Sequence, residues 1–254
     1  MIHHIIEVKN LHYIYPDERK ALNSVSFRIV HGDSVGIVGA NGAGKTTLLM
    51  LLAGAFFPSQ GEVIVGGVPV VKKNLPLIRQ KIGMLFQNPD DQLFMTTVYD
   101  DVAFGPRNYK LDGQEVEKRV SQALAMVGIE HLQNRAPYKL SGGEKRAAAI
   151  ATILSMTPDI LVMDEPSAAL DPRSRRGLIT LLNGFAHTKI IASHDLDLVF
   201  ELCDRTIVLK DGEVISDGPT ATILTDMALI EQSGLEAPLS LQNCPVCRAR
   251  KESL

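Results

Sequence analysis

The segment "SVGIVGANGAGKTTLLMLLAG", residues 34–54, carries the strongest structural signal in this chain. It begins as a continuous apolar run that is typical of a buried strand, and it passes through a glycine-rich turn into an apolar helical stretch. The turn, residues 39–46, matches the pattern G-x-x-x-x-G-K-[ST]. A strand, this loop and a helix in that order form the phosphate-binding unit of α/β nucleotide-binding proteins.

The residue types of this loop suit a triphosphate. Glycines let the backbone curl around an anion with its N–H groups pointing inward, and the helix N-terminus adds partial positive charge. Lys45 is expected to reach the β- and γ-phosphates, Thr46 to offer its hydroxyl to Mg²⁺, and Thr47 to bond the α-phosphate. The other loop residues expected at the nucleotide are Gly39, Asn41, Gly42 and Gly44.

A pair of carboxylates ends a second apolar run. In "ILVMDEPS" four apolar residues lead to Asp164 and Glu165. A carboxylate there lies at the carboxyl edge of the sheet, where ligands bind in open α/β sheets. Asp164 is expected to hold Mg²⁺, and Glu165 is the candidate general base that polarises a water for attack on the γ-phosphate.

The remaining chain alternates short β-rich runs with helical runs. The N-terminal runs "IIEVKNL" and "SVSFRIV" are β-rich, and "GQEVEKRVSQALAMVGI" places apolar residues at helical spacing. From residue 143 onward, helices alternate with apolar strands, which indicates a mostly parallel sheet. The "KDGEVISDG" segment contains an Asp-Gly pair and predicts a hairpin.

Composition excludes several protein classes. The 254 residues have a formal net charge of −3, so no broad basic field for nucleic acid exists, and Arg173, Arg175 and Arg176 are interpreted as a solvated helix face. No apolar run is long enough to span a bilayer, and the N-terminus lacks the features of a signal peptide. Three cysteines do not make a disulfide framework. We therefore expect a cytoplasmic protein.

The motif "LSGGEKR", residues 140–146, resembles the signature of the ATP-binding-cassette (ABC) ATPases. Asp164-Glu165, "SAALDP" (residues 167–172) and "IASHD" with His194 follow in the order of that family, and the resemblance covers about residues 5–224. It implies an α/β P-loop NTPase with a mostly parallel sheet core, an antiparallel β subdomain and a helical signature subdomain at about residues 88–158. It also implies ATP and Mg²⁺ as the bound nucleotide and metal.

The resemblance implies that two cassettes close head-to-tail around two ATP molecules. Each ATP would lie on the phosphate loop of one subunit and be capped by the signature of the other, where the Ser141 hydroxyl and the N–H groups of Gly142 and Gly143 meet the γ-phosphate. Asp171 is expected to cross the dimer interface. The dimer is either two copies of this chain or a pair with a related subunit.

Further roles follow by position in the family motifs. Tyr15 is expected to stack on the adenine ring, with Tyr13 as the competing choice. Gln87, at the end of "IGMLFQ", is expected to contact Mg²⁺ and the attacking water. His194 is expected to contact the γ-phosphate and to orient Glu165.

The segment "NPDDQLFMTTVYDDVAFGPRNYKL" resembles the ATPase subunits of energy-coupling-factor (ECF) transporters, most of all those of cobalt and nickel importers. This resemblance implies an integral-membrane coupling subunit and a substrate-binding membrane subunit as partners, no nucleic acid, and a place on the cytoplasmic face of the membrane. Asp90 and Asp91 are expected to face basic residues of the coupling subunit. A vitamin importer and, more remotely, a non-transport ABC ATPase remain alternatives.

The chain is expected to divide into an ATPase domain at residues 1–226 and a tail or small cap at residues 227–254. The tail contains "CPVC", with Cys244 and Cys247 at metal-ligand spacing. One such pair is half a zinc site, so an incidental tail or a subunit contact is the preferred interpretation. Cys203 lies on an apolar helix face and is expected in the core.

Overall fold

The computed structural model describes residues 4–242 and contains two sheets. The strands are short, and most follow the β-rich runs of the sequence. In chain order they are β1 (His4–Ile14), β2 (Lys20–Val30), β3 (Ser34–Val38), β4 (Gln60–Val65), β5 (Val68–Pro69), β6 (Ile82–Leu85), β7 (Ile160–Asp164), β8 (Thr188–Ala192), β9 (Arg205–Lys210) and β10 (Glu213–Pro219).

The helices alternate with these strands from the phosphate loop onward, as a parallel sheet requires. They are α1 (Lys45–Leu52), α2 (Leu75–Lys81), α3 (Val98–Asn108), α4 (Gly113–Val127), α5 (Gly142–Leu154), α6 (Pro172–Asn183), α7 (Leu196–Leu202), α8 (Thr220–Thr225) and α9 (Met227–Gln232). Short 3-10 turns, among them Pro89–Asp91 and Pro137–Lys139, join some of them.

The central sheet has six strands in the order β10-β9-β3-β8-β7-β6. All its neighbours are parallel except the terminal β9–β10 hairpin. Every residue of β3, β7 and β8 is buried, because helices cover both faces of this sheet. The mostly parallel α/β core expected from the sequence is confirmed.

The smaller sheet is antiparallel, in the order β2-β1-β4-β5. In β2, buried and exposed residues alternate along part of the strand, which is the pattern of a sheet with one face on the core. Its buried residues join those of α1 and the central sheet in one hydrophobic cluster. The antiparallel subdomain implied by the resemblance is therefore present.

Helices α3, α4 and α5 lie between β6 and β7 in the chain and pack against one another. The apolar residues Val116, Val120, Ala123 and Leu124 of α4 are all buried in this packing, as their helical spacing predicts. Helix α5 begins at Gly142, one residue before the start predicted from the sequence.

The segment after β10 returns to the body of the protein. Ile230 of α9 is buried, and Leu229, Leu235 and Leu241 pack against the larger hydrophobic cluster. Cys203 is buried in the same cluster, as expected. Cys244 and Cys247 lie outside the described residues.

The parallel strands align four loops at one edge of the central sheet. In register, Ile37 of β3 pairs with Ala192 of β8, which also pairs with Asp164 of β7. Leu85 of β6 pairs with Met163, the residue before Asp164. The phosphate loop and the residues after β6, β7 and β8 therefore meet at the carboxyl edge.

Candidate nucleotide and catalytic site

The phosphate loop needs glycine at two positions for different reasons. Gly44, the N-cap of α1, has φ of 102°, and a Cβ there would lie 2.7 Å from the Ala21 carbonyl oxygen. At Gly39 a Cβ would lie 2.2 Å from the Leu209 carbonyl oxygen. The loop thus packs closely against β2 on one side and β9 on the other, and neither position leaves room for a Cβ.

Lys45 is buried beneath this loop. Its ammonium group donates to the carbonyl oxygens of Gly39 at 2.7 Å and Ala40 at 3.2 Å. Burial lowers the pKa of Lys45, and the nearby carboxylates of Glu165 and Asp164 oppose that shift. A buried cation whose partners are neutral carbonyls is well suited to an anion that enters the loop.

Thr46 and Asp164 meet across the sheet edge. The Thr46 hydroxyl donates to Oδ2 of Asp164 at 2.7 Å. Asp164 is 1% exposed, and its Oδ1 is buried without a hydrogen-bond partner among residues 4–242. Burial raises the pKa of Asp164. A hydroxyl, an unpartnered carboxylate oxygen and the nearby Gln87 amide form the set of oxygen donors that Mg²⁺ prefers, so these residues fit the expected metal.

Glu165 is held in one orientation. Its backbone has φ of 47°, a left-handed conformation that is rare outside glycine and occurs at functional sites. Its buried carboxylate accepts from the Ser193 hydroxyl at 2.9 Å and from the His194 backbone N–H at 3.0 Å. Nδ1 of His194 lies 2.8 Å from its Oε1. The structure thus brings His194 to Glu165, while the imidazole itself stays largely exposed.

A cavity of about 270 Å³ contains most of the residues predicted to bind nucleotide and metal. Of the predicted set, those that line it are Tyr15, Asn41, Gly42, Gly44, Lys45, Thr46, Thr47, Gln87, Asp164 and Glu165. Gly39 lies behind it and bonds to Lys45. The carboxyl edge of the sheet therefore brings together a phosphate loop, a carboxylate that fits a metal ion and a candidate general base in one cavity.

The two tyrosines near the cavity occupy different surroundings. The Tyr15 hydroxyl and Oγ1 of Thr47 are 2.8 Å apart, which fixes the Tyr15 ring beside the phosphate loop. Tyr13 instead stacks on Phe56, with ring centroids 5.3 Å apart and planes at 3°. Only Tyr15 of the two lines the cavity.

Sequence reasoning missed three polar residues at this site. Arg19 lies over the Tyr15 ring, 4.5 Å from its centroid, and Arg19 and Lys20 both line the cavity. The pair of cations four and five residues after Tyr15 was the available signal. Ser193, which bonds Glu165, was visible as the residue before His194 in "IASHD".

The signature residues Ser141, Gly142 and Gly143 lie at the start of α5, outside the cavity of their own chain. Ser141 is the N-cap of α5, where it forms a capping box: its Oγ accepts from Glu144 N at 3.4 Å, and the Glu144 carboxylate accepts from Ser141 N at 2.7 Å. Neither Ser141 nor Gly142 and Gly143 line the cavity that contains Lys45. A Cβ at Gly143 would lie 3.4 Å from Oγ of Ser174.

The family model for ABC transporters matches residues 22–168, from β2 to just beyond Glu165. The chain belongs to the ABC transporter family. A Geobacter sulfurreducens protein named as a putative ABC transporter ATP-binding protein is 59% identical over 97% of this chain and 99% of its own length. The energy-coupling factor transporter ATP-binding protein EcfA of Carboxydothermus hydrogenoformans is 46% identical over 92% of this chain and 87% of its own.

A solved structure agrees with this membership. The structure of cbiO1 from Clostridium perfringens, described as part of the ABC transporter complex cbiONQ, has a TM-score of 0.81 and 36% identity, and it covers 98% of this chain and 99% of its own. The ABC cassette described here is an ATP-binding ATPase. Within residues 4–242, no helix of the cassette has both the length and the apolar character needed to cross a membrane.

Residues predicted to meet a partner lie on the surface of the cassette. Asp171 is the exposed N-cap of α6 and accepts from the Arg173 N–H, the Ser174 N–H and the Ser174 hydroxyl. Asp90 forms an ion pair with Lys145 of α5 at 2.6 Å, and both Asp90 and Asp91 are exposed.

The interpretation of the α6 arginines as a purely solvated face was wrong for one of them. Arg175 forms ion pairs with Asp195 at 3.0 Å and with Glu201 at 3.1 Å. The partner carboxylates lie on or next to α7, about 20 residues further along the chain, and sequence spacing did not bring them together with α6.

Proposed function

We propose that this cassette is the ATP-hydrolysing motor subunit of an ECF-type ABC importer for cobalt or nickel ions. The observation that most supports the ATP-hydrolysing role is that Lys45, Asp164 and Glu165 line one cavity. The EcfA and cbiO1 relatives support the ECF branch. The subunit would lie on the cytoplasmic face of the membrane, bound to an integral-membrane coupling subunit that works with a substrate-binding membrane subunit.

In the proposed reaction, Glu165 is the general base. Lys45 and the loop N–H groups bind the phosphates, and Tyr15 holds the adenine. A water oriented by Glu165, Gln87 and His194 forms a bond to the γ-phosphorus as the bond to the ADP oxygen breaks, and Glu165 accepts the proton of that water. Mg²⁺ held by Thr46, Asp164 and Gln87 would neutralise developing phosphate charge.

A second cassette is needed to complete this site. Ser141 and Asp171 are exposed and lie outside the cavity of their own chain, so a partner copy or a related subunit would supply them to the nucleotide. The donors at the start of α5 would then meet the γ-phosphate, and hydrolysis would weaken the closed dimer. Closure is a population shift driven by the affinity of ATP for the closed state.

An apolar surface close in sequence to Asp90 and Asp91 supports the proposal of a membrane-bound coupling subunit. Phe94 is 64% exposed and Phe104 is 38% exposed, and their rings meet edge to face at 4.9 Å. Phe104 also lines a groove between α2 and α3 with Leu75 and Tyr109. Exposed aromatic residues next to carboxylates suit a helix with an apolar face and basic flanks.

The solute is proposed from resemblance alone. The segments "DDQLF", "DVAFGP" and "LKDGEVISDGP" are similar to those of the cobalt and nickel subgroup. Uptake of labelled cobalt or nickel by cells that contain the complete transporter, compared with cells carrying the Glu165→Gln variant, tests it. Vitamin uptake without metal uptake would instead support the alternative ECF substrate.

The Glu165→Gln variant tests the reaction itself. Glutamine keeps the shape of the side chain but cannot accept the proton, so the variant should bind ATP, lose turnover and accumulate the closed dimer. Analytical ultracentrifugation with ATP and Mg²⁺ should give twice the monomer mass, and ADP should not. A variant that remains monomeric with ATP, or that hydrolyses at the wild-type rate, would be inconsistent with the proposal.

A further inference from the structure

The segment around Gln87 is bonded to helix α5 at several points. The Nε2 of Gln92 donates to the Ala149 carbonyl oxygen at 2.8 Å and to Oγ1 of Thr152 at 2.6 Å. The Oε1 of the same Gln92 accepts from the Phe86 N–H at 3.4 Å. Together with the Lys145–Asp90 pair at 2.6 Å, these contacts fasten residues 86–92 along α5.

Arg146 makes the closest connection between α5 and Gln87. Its Nη1 donates to the carbonyl oxygen of Phe86 at 2.9 Å, and its Nη2 donates to the carbonyl oxygen of Gln87 at 2.6 Å. The planar guanidinium thus spans two successive peptide groups, a geometry that a lysine ammonium does not provide. The backbone at Gln87 is fixed from α5, the helix that begins at the signature serine.

Burial of the charged Arg146 side chain carries a desolvation cost. Arg146 is 4% exposed, and it makes no ion pair among residues 4–242. Its Nε is buried without a hydrogen-bond partner in the same part of the chain. Burial lowers the pKa of Arg146, while the charges of Asp164 and Glu165 oppose that shift. An apolar side chain would avoid this desolvation, so stability alone does not explain the residue.

We propose that Arg146 is a positioning residue that couples the signature helix to Gln87. The guanidinium joins α5 to the backbone of Phe86 and Gln87, so it fixes the position of Gln87 relative to the helix that begins at the signature serine. The inference rests on the proposed role of Gln87 beside the reacting water.

Two substitutions of Arg146 test the coupling, because they separate its positive charge from its ability to bond two carbonyl oxygens at once. Arg146→Met removes both, and Arg146→Lys keeps the charge but bonds one carbonyl at a time. We expect kcat of the methionine variant to fall about 10-fold or more, because small displacements of reacting groups have effects of that size, with KM for ATP nearly unchanged. Arg146→Lys should retain an intermediate kcat. The control is Arg119→Met on α4, an arginine bonded to Glu115 at 2.7 Å, which should keep the wild-type kcat.

A fluorescence measurement reads the position of the segment directly. The chain has no tryptophan, so Phe86→Trp introduces a single reporter next to Gln87. Time-resolved anisotropy should show greater motion of this reporter when Arg146→Met is added, and no change when Arg119→Met is added. The same measurement with Arg146→Lys covers the case in which the methionine variant folds poorly.

The outcomes separate the two proposals. If wild-type protein hydrolyses ATP and Arg146→Met keeps the wild-type kcat and an immobile reporter, the coupling is wrong and the proposed function stands. Equal losses in kcat and in ATP affinity, with a lowered melting temperature in both Arg146 variants, would also overturn the coupling, since they indicate a structural role. Wild-type protein without ATPase activity would contradict the proposed function.

Discussion

Tyr13 and Tyr15 are two residues apart and their rings meet edge to face at 5.0 Å, yet their other contacts differ. Tyr13 stacks on Phe56 and packs against the hydrophobic cluster of the smaller sheet, whereas Tyr15 bonds Thr47 and faces the cavity. The sequence offered both as adenine partners. The contact with Thr47 favours Tyr15, and that contact joins residues 32 positions apart, which the local pattern does not reveal.

Substitution of the two tyrosines should separate nucleotide binding from stability. Tyr15→Ala should weaken ATP binding by about 1–3 kcal/mol, the usual contribution of a base stacked on an aromatic ring, and Tyr15→Phe should have a small effect. Tyr13→Ala should lower the melting temperature and leave affinity nearly unchanged. Titration with a fluorescent ATP analogue, paired with thermal unfolding, measures both. A larger loss of affinity in Tyr13→Ala would reverse the assignment.

Asp101 is a buried carboxylate outside the nucleotide site. Its Oδ1 accepts from the backbone N–H groups of Phe94 and Met95, both at 3.0 Å, and its Oδ2 is buried without a partner among the described residues. Burial raises the pKa of Asp101 above its value in the unfolded chain. The residue thus shapes the exposed turn at Phe94 and is a source of pH-dependent stability.

The sign of this pH dependence follows from the raised pKa. Stability that comes from protonated Asp101 is present below the pKa of the unfolded chain and is lost as the pH rises through the pKa of the folded protein. Asp101→Asn stays neutral and should gain stability relative to wild type as the pH rises. Chemical denaturation of both proteins from pH 4 to pH 8 (roughly the range over which carboxyl groups with raised pKa titrate) measures it. A stability difference that does not change with pH would refute this prediction.

At the scale of elements, the first turn of α5 has two functions. Ser141 and Glu144 form a capping box that satisfies N–H groups at the start of the helix. The same Ser141 is proposed to reach the nucleotide of a partner cassette. The capping role acts on folding of one chain, and the nucleotide role acts only in the dimer, so the two are separable by experiment.

Ser141→Ala and Glu144→Ala each remove one half of the capping box. Both should lower the free energy of unfolding by a similar amount, about 0.5–2 kcal/mol. Only Ser141→Ala should also lower kcat strongly, because only the serine hydroxyl is proposed to meet the γ-phosphate. Urea denaturation and steady-state ATPase assays of both variants test this. Equal kcat losses in the two variants would mean that helix stability, not contact with ATP, explains the motif.

Elements with strong local signals were predictable, and those without them were not. The Asp211–Gly212 turn between β9 and β10 has φ of 49° and 79°, as an Asp-Gly hairpin predicts. Helix α2, residues "LPLIRQK", was missed: it has seven residues, one buried side chain and a proline in its first turn, so it has no helical periodicity to detect.

In the whole molecule, the sequence indicated most of the elements but not how the strands are ordered. The order β10-β9-β3-β8-β7-β6 places β8 between the phosphate-loop strand and the strand of Asp164, although β8 comes later in the chain than both. That order brings Ser193 and His194 to Glu165. Alternating strands and helices allow several such orders, and long-range packing selects among them.

Two inactive variants test whether two cassettes share each ATP. Lys45→Ala disables the phosphate loop and Ser141→Arg disables the signature, so each variant alone should lack turnover. In a mixed dimer, one site combines the intact loop of one copy with the intact signature of the other. We predict that mixing the two variants restores ATPase activity, whereas mixing either variant with a Lys45→Ala/Ser141→Arg double variant does not. Mixtures of the two single variants that stay inactive would contradict a nucleotide site shared between two copies of this chain.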